Sequence, residues 1–376
     1  MSDGVDVNDG VDVNDGAPGI ARAATHARVP PRGAGPTLEQ VGAHAGVSRA
    51  TVSRVVNGSP TVGPAIRVRV AASIAELGYQ PNRIARSLAT RRTDTFALVA
   101  SEPDVRVFGD PFFSGIVRGV MQVMNGAGLQ VVVMMAQYAA DLDRVERYVR
   151  SGAVDGVLLI SEHATVDPLP AAMVAAGIPL VIGGRPMDPE LQVAYVDNDN
   201  VDGGRLAAAH LLAAGRRVIG TLSGPQDMCA GVDRLAGFTL GLGPAFDPAL
   251  VEVGDFTQEG GEAAAERLLD RRPDLDGLFA ASDLMAMGAL KALRRVGRAV
   301  PADVALVGFD DIDVARYAVP PLTTVRQSTL RQGRTMARLL LSRVRPELLA
   351  DDDDAVGVLD LDRIVLPVEL VVRESA

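Results

Sequence analysis

One short segment of the chain combines the turn, the residue spacing and the charge that recognition of DNA requires. Residues 46–57 read Gly-Val-Ser-Arg-Ala-Thr-Val-Ser-Arg-Val-Val-Asn. Apolar side chains recur in it at i, i+3 and i+4, which predicts the buried face of a helix: Val52, Val55 and Val56. The opposite face carries the side chains that would meet base edges in a major groove: Arg49, Ala50, Ser53 and Arg54.

The neighbouring residues predict the helices that must position this segment. Thr37 with Gln40 three residues later resembles a capping box that opens a first helix, and Leu38, Val41 and Ala45 form its inner face. Gly46 permits a tight turn, and Ser48 can cap the second helix. The first helix, the turn at Gly46 and the second helix would together form a helix-turn-helix.

A third helix is predicted after Pro64, which suits a first helical position, and Gly78 can end it. One apolar stripe runs along it: Ile66, Val70, Ile74 and Leu77. Charge supports the interpretation, since residues 37–92 hold eight arginines and two acids, a balance of about +6, whereas the whole chain is −10. A basic module on an acidic body suits binding to phosphates; the alternative is a packing unit with a solvated basic face.

The residues after the third helix resemble a known hinge. Residues 78–89 read Gly-Tyr-Gln-Pro-Asn-Arg-Ile-Ala-Arg-Ser-Leu-Ala, and with the helix-turn-helix they resemble the lactose/galactose repressor (LacI/GalR) family over about 55 positions. The resemblance implies a hinge helix that forms on operator DNA and pairs with its dimer mate in the minor groove. Leu88 would be the wedge between central base pairs, Asn82 the cap, and Pro81 the entry. A helix this short is not stable alone, so we expect disorder off DNA.

We therefore predict DNA contacts from the helix-turn-helix and the hinge together. The residues are Thr37, Ser48, Arg49, Ala50, Thr51, Ser53, Arg54, Asn57, Tyr79, Asn82, Arg83, Arg86 and Leu88.

Length and composition indicate the kind of protein to which the DNA-binding segment belongs. At 376 residues, with 48% hydrophobic and 4% aromatic content, the chain suits a small DNA module joined to an aliphatic α/β body. No long uncharged apolar run and no signal-peptide pattern is present, so we expect a cytoplasmic protein. Cys229 is interpreted as an ordinary thiol, and the four histidines are scattered and predicted to form no site. We predict no cofactor and no metal.

The first 35 residues are predicted to be a disordered tail. The hexapeptide Asp-Gly-Val-Asp-Val-Asn occurs twice, and a stretch rich in Pro, Gly, Ala and Arg follows without periodicity. A calcium-loop interpretation fails because the glycines are misplaced and no Glu closes the loop.

Short apolar runs alternate with helical patterns from Thr93 onward, which indicates parallel sheets built from βαβ units. The predicted strands are 96–100, 130–134, 156–160, 179–182, 218–222, 277–281 and 304–308. The predicted helices include 113–124, 203–212 and 286–293. Two successive sets of this kind predict two doubly wound lobes, with ligands bound beyond the carboxyl ends of the strands.

Residues after these strands again resemble the repressor family, whose effector domain has the two-lobed fold of periplasmic sugar-binding proteins. The motifs are Asp-Pro-Phe-Phe at 110–113, Arg-Leu-Ala-Gly-Phe at 234–238, Gly-Asp-Phe at 254–256 and Gly-Phe-Asp-Asp at 308–311. The resemblance implies effector contacts at Phe112, Arg234, Phe256 and Asp310, with Gln327 where the chain crosses between lobes. Phe112 and Phe113 could equally be core residues, and Asp311 is interpreted as structural.

Two departures from the family limit what the resemblance implies. Gly-Gly-Arg at 183–185 stands where the lactose-binding member has an aspartate, and Ser282 stands where it has an asparagine. The effector is therefore not expected to be the same galactoside. Arg185 would either add positive charge to the pocket or turn outward to pair with an acid.

Other functions were weighed on the same residues. An enzyme could use the strand-end acids Asp283, Asp310 and Asp311, but no nucleophile elbow, phosphate loop, dinucleotide fingerprint or metal-ligand cluster accompanies them, and Asp283 is interpreted as a helix N-cap. An exported sugar-binding protein conflicts with the DNA module. An activator or a corepressor-dependent repressor stays open, because both directions of coupling use the same parts.

The predicted fold is an N-terminal all-α helix-turn-helix DNA-binding domain plus an α/β periplasmic-binding-protein-like effector domain of two doubly wound parallel-sheet lobes. The predicted divisions are 1–35 tail, 36–80 DNA-binding domain, 81–93 hinge and 94–376 effector and dimerisation domain. The predicted function is that of a homodimeric repressor, released from a palindromic operator by a small molecule. A sugar is preferred to a purine, and a phosphorylated or acidic sugar stays possible through Arg185.

Overall fold

The structure is a computed structural model, and it describes residues 35–56, 58–80, 92–164, 167–350, 352 and 361–376. The chain divides into two compact units between Asn82 and Arg83. The predicted tail and hinge fall almost wholly outside the described residues, so the boundaries assigned to them stay predictions. No helix in the described part of the chain is long and apolar enough to cross a membrane.

The first unit, called the head, contains the three predicted helices: α1 (Leu38–Ala45), α2 (Arg49–Val56) and α3 (Pro64–Leu77). Thr37 and Gln40 form the predicted capping box of α1, and Gly46 follows in the left-handed conformation at φ 63°. Pro64 opens α3 and Gly78, also left-handed, ends it. Local sequence signals therefore fixed the helix ends in this unit correctly.

The core of the head is small and comes from all three helices. Val41, Ala45, Val52 and Val70 are buried, and the predicted α3 stripe packs against them. Tyr79 belongs to the same core and is only 9% exposed. Little of its surface is open to a partner, and its prediction as a DNA contact stays a prediction.

The second unit contains two six-stranded sheets, which define two lobes. The described strands of lobe 1 are β1 (Thr95–Ala100), β2 (Gln130–Met135), β3 (Val157–Ile160), β4 (Leu180–Gly183), β5 (Ala194–Asn198) and β11 (Arg363–Leu366). The described helices of lobe 1 are α4 (Asp104–Gly109), α5 (Pro111–Gly126), α6 (Ala139–Arg150), α7 (Leu169–Ala175) and α13 (Thr329–Val344).

Lobe 2 repeats the same plan. Its described strands are β6 (Ile219–Ser223), β7 (Val251–Val253), β8 (Gly277–Ala280), β9 (Ala305–Asp310), β10 (Thr323–Arg326) and β12 (Glu369–Val371). Its described helices are α8 (Asn200–Ala213), α9 (Cys229–Leu242), α10 (Gln258–Arg271), α11 (Asp283–Arg295) and α12 (Asp313–Tyr317). Short 3-10 turns cover Gly243–Ala245 and Pro248–Leu250 in lobe 2 and Pro346–Leu349 in lobe 1.

Strand order explains where a ligand site must lie. The sheets run β11-β5-β4-β3-β1-β2 and β12-β10-β9-β8-β6-β7, and only the β10–β12 pair among the described strands is antiparallel. In each sheet the order reverses beside its first strand, which is the switch point where doubly wound folds leave a crevice at the carboxyl ends. β1 is buried on both faces, with Phe96 and Leu98 in one core and Ala97 and Val99 in another.

The predicted strands and helices of this unit are all present, with ends that shift by at most three residues. The prediction of two successive lobes is incomplete. After β10 in lobe 2 the chain returns to lobe 1 as α13 and β11, then crosses again to β12. Three chain segments therefore join the lobes near residues 199, 327 and 367, and they limit the lobes to hinged movement.

Candidate functional site

The exposed face of α2 carries most of the side chains predicted to read DNA. Arg49, Ala50 and Arg54 are exposed, whereas Val52 on the opposite face is buried. Ser48 Oγ accepts a hydrogen bond from the Thr51 backbone N–H at 3.2 Å, which confirms the predicted cap. Arg49 Nε lies 3.0 Å from Glu39 Oε1 in an exposed ion pair.

The remaining predicted DNA contacts have mixed outcomes. Thr37 is exposed but its hydroxyl is used in the cap of α1. Thr51 and Ser53 are half-buried. Several further predicted contacts lie outside the described residues: Asn57, Asn82, Arg83, Arg86 and Leu88. The DNA contacts as a set stay a prediction.

The second candidate site is a cleft between the lobes of the effector unit. All seven predicted effector residues line it, although they are separated in sequence by more than 200 positions: Phe112, Arg185, Arg234, Phe256, Ser282, Asp310 and Gln327. The space not filled by atoms, counted out to the open mouth, is about 670 Å³. That volume is within the range of small-molecule pockets.

Arg234 occupies the floor of the cleft and is only 4% exposed. Its Nε donates to Asn200 Oδ1 at 2.9 Å and its Nη1 donates to the Ala281 carbonyl at 2.6 Å. The guanidinium carbon lies 3.6 Å from the centre of the Phe309 ring. These contacts fix a cation whose burial lowers its pKa, and they hold it against the carboxylate of Asp310 at 3.5 Å.

Asp310 is held between Arg234 and Gln327, whose Nε2 donates to Asp310 Oδ1 at 2.5 Å. Burial raises the pKa of Asp310 to about 7, and Arg234 opposes that shift. Gln327 lies between β10 and α13, so the prediction that it sits at a crossing between lobes is confirmed. A carboxyl that titrates near neutral pH can accept or donate hydrogen bonds to a polar ligand.

The aromatic side of the cleft comes from both lobes. Phe256 is 6% exposed and its backbone is left-handed at φ 64°, while Asp310 has φ 115°. Such conformations cost about 1–3 kcal/mol in ordinary residues and cluster at functional sites. A Cβ on Gly224 would lie 2.1 Å from the Phe256 ring, so only glycine lets the ring lie there. Phe112 is half-buried and meets Phe113 edge to face.

Arg185 has both of the features that were predicted as alternatives for it. It lines the cleft and also pairs with an acid, because its Nε and Nη2 donate to the two oxygens of Asp233 at 2.7 Å each. Asp233 lies on α9 of lobe 2, whereas Arg185 follows β4 of lobe 1. The bidentate pair therefore joins the lobes across the cleft.

The N-cap of α11 is Ser282, which also lines the cleft, and not Asp283. The Ser282 hydroxyl accepts from the Met285 N–H at 3.2 Å. Asp283 is fully buried, and its carboxylate accepts from the Ile312 N–H at 2.9 Å and from the Thr324 hydroxyl at 2.5 Å. The predicted N-cap role of Asp283 is wrong, since a buried carboxylate needs stronger partners than one helix end supplies.

Asp311 is structural, as predicted. It is buried, accepts from Arg326 Nε at 2.6 Å and pairs with Arg373.

A cluster that sequence reasoning missed joins the two lobes. His163 Nδ1 lies 2.9 Å from Asp227 of lobe 2, and its Nε2 lies 3.2 Å from Glu102 of lobe 1. The Ala164 N–H also donates to the Asp227 carbonyl at 2.9 Å. His163 therefore joins the lobes, a structural role that its isolated position in the sequence did not predict. Its partners are 61 and 64 positions away, so no local signal could have found them.

Arg106 on α4 belongs to the same region and was also missed. It pairs with Glu102 and lies 5.3 Å from the centre of the Phe256 ring in the opposite lobe. Within the described part of the chain, no group of three or more His, Cys, Asp or Glu side chains could hold a metal ion. Cys229 lines the cleft, and burial raises the pKa of its thiol.

Known proteins resemble both the head and the effector unit. Residues 37–82 match the model of bacterial regulatory proteins of the lacI family, and residues 208–376 match that of the periplasmic binding protein-like domain. The HTH-type transcriptional regulator CelR of Thermobifida fusca is 51% identical over 344 residues, which cover 90% of this chain and 98% of that protein. The repressor PurR of Haemophilus influenzae strain PittEE is 32% identical, with the same coverage.

Solved structures show the same similarity. A complex of the transcriptional regulator CelR with cellobiose has a TM-score of 0.70 at 49% identity and covers 91% of this chain and 100% of that one. A lac repressor dimer bound to operator and the anti-inducer ONPF has a TM-score of 0.76 at 28% identity, covering 91% and 99%.

Proposed function

The chain belongs to the lacI family of bacterial regulatory proteins, and we propose that it is a transcriptional repressor whose effector is a short oligosaccharide of the cellobiose type. The observation that carries the effector class is the cleft itself, where an aromatic ring, a buried arginine and a carboxyl that titrates near neutral pH converge in a chain about half identical to a regulator solved with cellobiose.

The chemistry of the cleft suits a neutral sugar. Phe256 presents an apolar ring on which the C–H face of a pyranose can stack, and Phe112 lines the opposite lobe. Arg234 donates to ring oxygens or hydroxyls, while Asp310 and Gln327 offer acceptors and a donor to the edge of the same ring. Arg185 is already paired with Asp233, so it does not favour a phosphorylated or acidic sugar.

The same cleft can transmit binding to DNA. Two ion pairs join the lobes, Arg185–Asp233 and His163–Asp227. A ligand that contacts both walls of the cleft therefore favours the arrangement in which the two lobes are closed on each other. We propose that this closure weakens operator binding. We also propose that the regulator acts in the cytoplasm as a homodimer, because a palindromic operator is bound by two heads. The lac repressor compared above is a dimer on its operator.

Catalysis is not part of this proposal. The relatives compared above are transcription regulators. Two of the three acids weighed for acid–base chemistry have structural partners: Asp283 holds Ile312 and Thr324, and Asp311 holds Arg326 and Arg373. Asp310 is held by Arg234 and Gln327 in the cleft, where we assign it to effector binding.

A thermal-shift screen of cellobiose, glucose, sugar phosphates, hypoxanthine and guanine tests the effector class. A ligand at 100 times its Kd adds about 2.7 kcal/mol to the free energy of unfolding, which is a clear shift in Tm. We expect stabilisation by cellobiose in the wild type and none in Arg234→Ala. Stabilisation by hypoxanthine or guanine alone would reject the sugar and favour a purine corepressor.

A further inference from the structure

Three buried polar atoms on the lobe 1 wall of the cleft have no hydrogen-bond partner among the described residues. They are Asn198 Oδ1 at the end of β5, Glu162 Oε2 after β3, and Arg106 Nε on α4. All three residues line the cleft. A buried polar atom without a partner is costly, so native proteins rarely keep one unless something outside the chain supplies the bond.

The orientation of the Asn198 amide is fixed by a chain of hydrogen bonds. Gln332 Nε2 donates to the Val196 carbonyl at 2.9 Å, and a carbonyl can only accept. Gln332 Oε1 must therefore face Asn198, whose Nδ2 donates to it at 2.9 Å. Both side chains are almost fully buried, at 3% and 2% exposure. Asn198 Oδ1 is left as a rigid acceptor on the cleft wall.

Glu162 and Arg106 complete the set with different chemistry. Burial raises the pKa of Glu162 to about 7, with Asp167 acting in the same direction, so its carboxyl can accept or donate near neutral pH. Arg106 Nη1 is occupied by Glu102, which leaves Nε as a donor. This side of the cleft therefore offers a rigid acceptor (Asn198 Oδ1), a donor (Arg106 Nε) and a carboxyl that can accept or donate (Glu162). Such a set suits the hydroxyls of a ligand, because each hydroxyl both donates and accepts.

We propose that Asn198, Glu162 and Arg106 form a hydroxyl-binding wall on lobe 1 that faces the Arg234–Asp310–Phe256 wall on lobe 2. The proposal rests on the proposed function and deepens it, because it says which groups read the sugar from the second lobe. A ligand with hydroxyls on both edges satisfies both walls at once and thereby links effector recognition to closure. A flat base with few edge groups leaves this wall unsatisfied.

Isothermal titration with cellobiose tests the wall. Asn198→Ala and Glu162→Met should each weaken cellobiose binding by about 5- to 30-fold, since each removes one hydrogen bond to the ligand. Thr221→Val is the matched control, because Thr221 Oγ1 is also buried and unpartnered but is not among the residues that line the cleft. We expect its cellobiose affinity to equal that of the wild type. Asn198→Ser replaces Asn198→Ala if the latter does not fold.

The outcomes separate the two proposals. If the wild type and both variants bind cellobiose within twofold of one another, the wall is rejected and the sugar assignment stands. A Thr221→Val loss as large as the other two would also reject it, because the effect would then be general. If the wild type binds none of cellobiose, glucose or sugar phosphates, the proposed function fails and the wall fails with it.

Discussion

The head and the effector cleft use the same residue type, arginine, in opposite ways. Arg54 on α2 is exposed, and we expect DNA to supply its partner. Arg234 is 4% exposed and already bonds to Asn200 and to the Ala281 carbonyl. An exposed arginine can be judged from its own segment of sequence, whereas the buried one depends on residues 34 to 76 positions away.

This difference has an energetic consequence. Removing an exposed side chain loses only the contacts it makes with DNA, because water replaces everything else. Removing a buried one leaves its former partners without hydrogen bonds in a site that water reaches poorly, and the cost is larger. Substitutions on each side of this contrast should therefore differ in the size of their effects, and the largest effect is expected at Arg234.

Arg234→Ala should reduce effector affinity by at least about 100-fold, because Asn200 Oδ1 and the Ala281 carbonyl lose their donor and Asp310 loses its cationic partner. Operator affinity should stay within about twofold, which gives permanent repression. Arg205→Ala is the matched control, since Arg205 is an exposed arginine on the neighbouring helix α8. Loss of operator binding in folded Arg234→Ala would mean that this residue maintains the unit instead of reading a ligand.

Arg54→Ala should weaken operator binding by about 1–3 kcal/mol and relax the preference at one base position. Its effector affinity should not change. Binding-site selection at fixed salt measures both properties. A uniform loss of affinity over all sequences would assign Arg54 to a phosphate and not to a base.

Two of the serine and threonine caps, Thr37 and Ser282, provide the same contrast within one type of bond. Thr37 is exposed and Ser282 is 3% exposed, yet both hydroxyls cap helices. Thr37→Ala should cost about 1 kcal/mol. Ser282→Ala should cost more, about 1–3 kcal/mol, since the Met285 N–H is left buried without an acceptor. Urea unfolding monitored for each unit checks the order, and equal costs would remove burial as the deciding factor.

The cross-lobe histidine predicts a dependence of stability on pH. Hydrogen bonding to Glu102 and then to Asp227 raises the pKa of His163 in the folded state above its ordinary value near 6.5. The resulting stabilisation is fully present below that ordinary value and is lost as pH rises through the raised pKa. The Tm advantage of wild type over His163→Gln should therefore shrink between pH 6 and pH 8.5.

Comparison of the two proteins at each pH separates His163 from Glu162 and Asp310, whose pKa values burial raises to about 7 and which are the same residues in both proteins. A Tm difference that is constant across this range would show that the ring packs but does not pair as a cation.

The smallest effect is expected at the exposed pair of Glu39 and Arg49. Exposed ion pairs contribute only about 0–1 kcal/mol, and salt screens them. Glu39→Ala should leave the stability of the head nearly unchanged and should slightly increase DNA affinity at low salt, because Arg49 is released. A large loss of stability would show that the head is held by its surface charges.

The sequence was sufficient for the head because its signals are local. The Thr37–Gln40 box, Gly46, Pro64 and Gly78 each act on residues within one helical turn, and the structure has all of them where expected. The burial of Tyr79 was not predicted, because the family motif places it next to the hinge but does not say which way its ring turns. Its burial depends on Val41, Val52 and Val70, which come from other helices.

Only those cleft residues that lie in family motifs or at strand ends could be predicted from the sequence. Phe256, shortly after β7, and Asp310, at the end of β9, were found because they match the family's motifs at strand ends, and parallel strands deliver their carboxyl ends to one edge. Arg106, His163 and Asn198 were missed because their roles depend on partners in the opposite lobe or on α13. The return of α13 and β11 to lobe 1 was missed for a related reason, since a helical pattern does not state which sheet it covers.

The central claim is that one ligand in the cleft controls the head through the same chain. The most direct measurement is fluorescence anisotropy of a labelled palindrome, chosen by selection from random DNA, titrated with cellobiose at fixed salt. We predict that cellobiose releases the wild type and leaves Arg234→Ala bound with unchanged affinity. The account is contradicted if cellobiose leaves the wild type bound, or if it releases Arg234→Ala equally well.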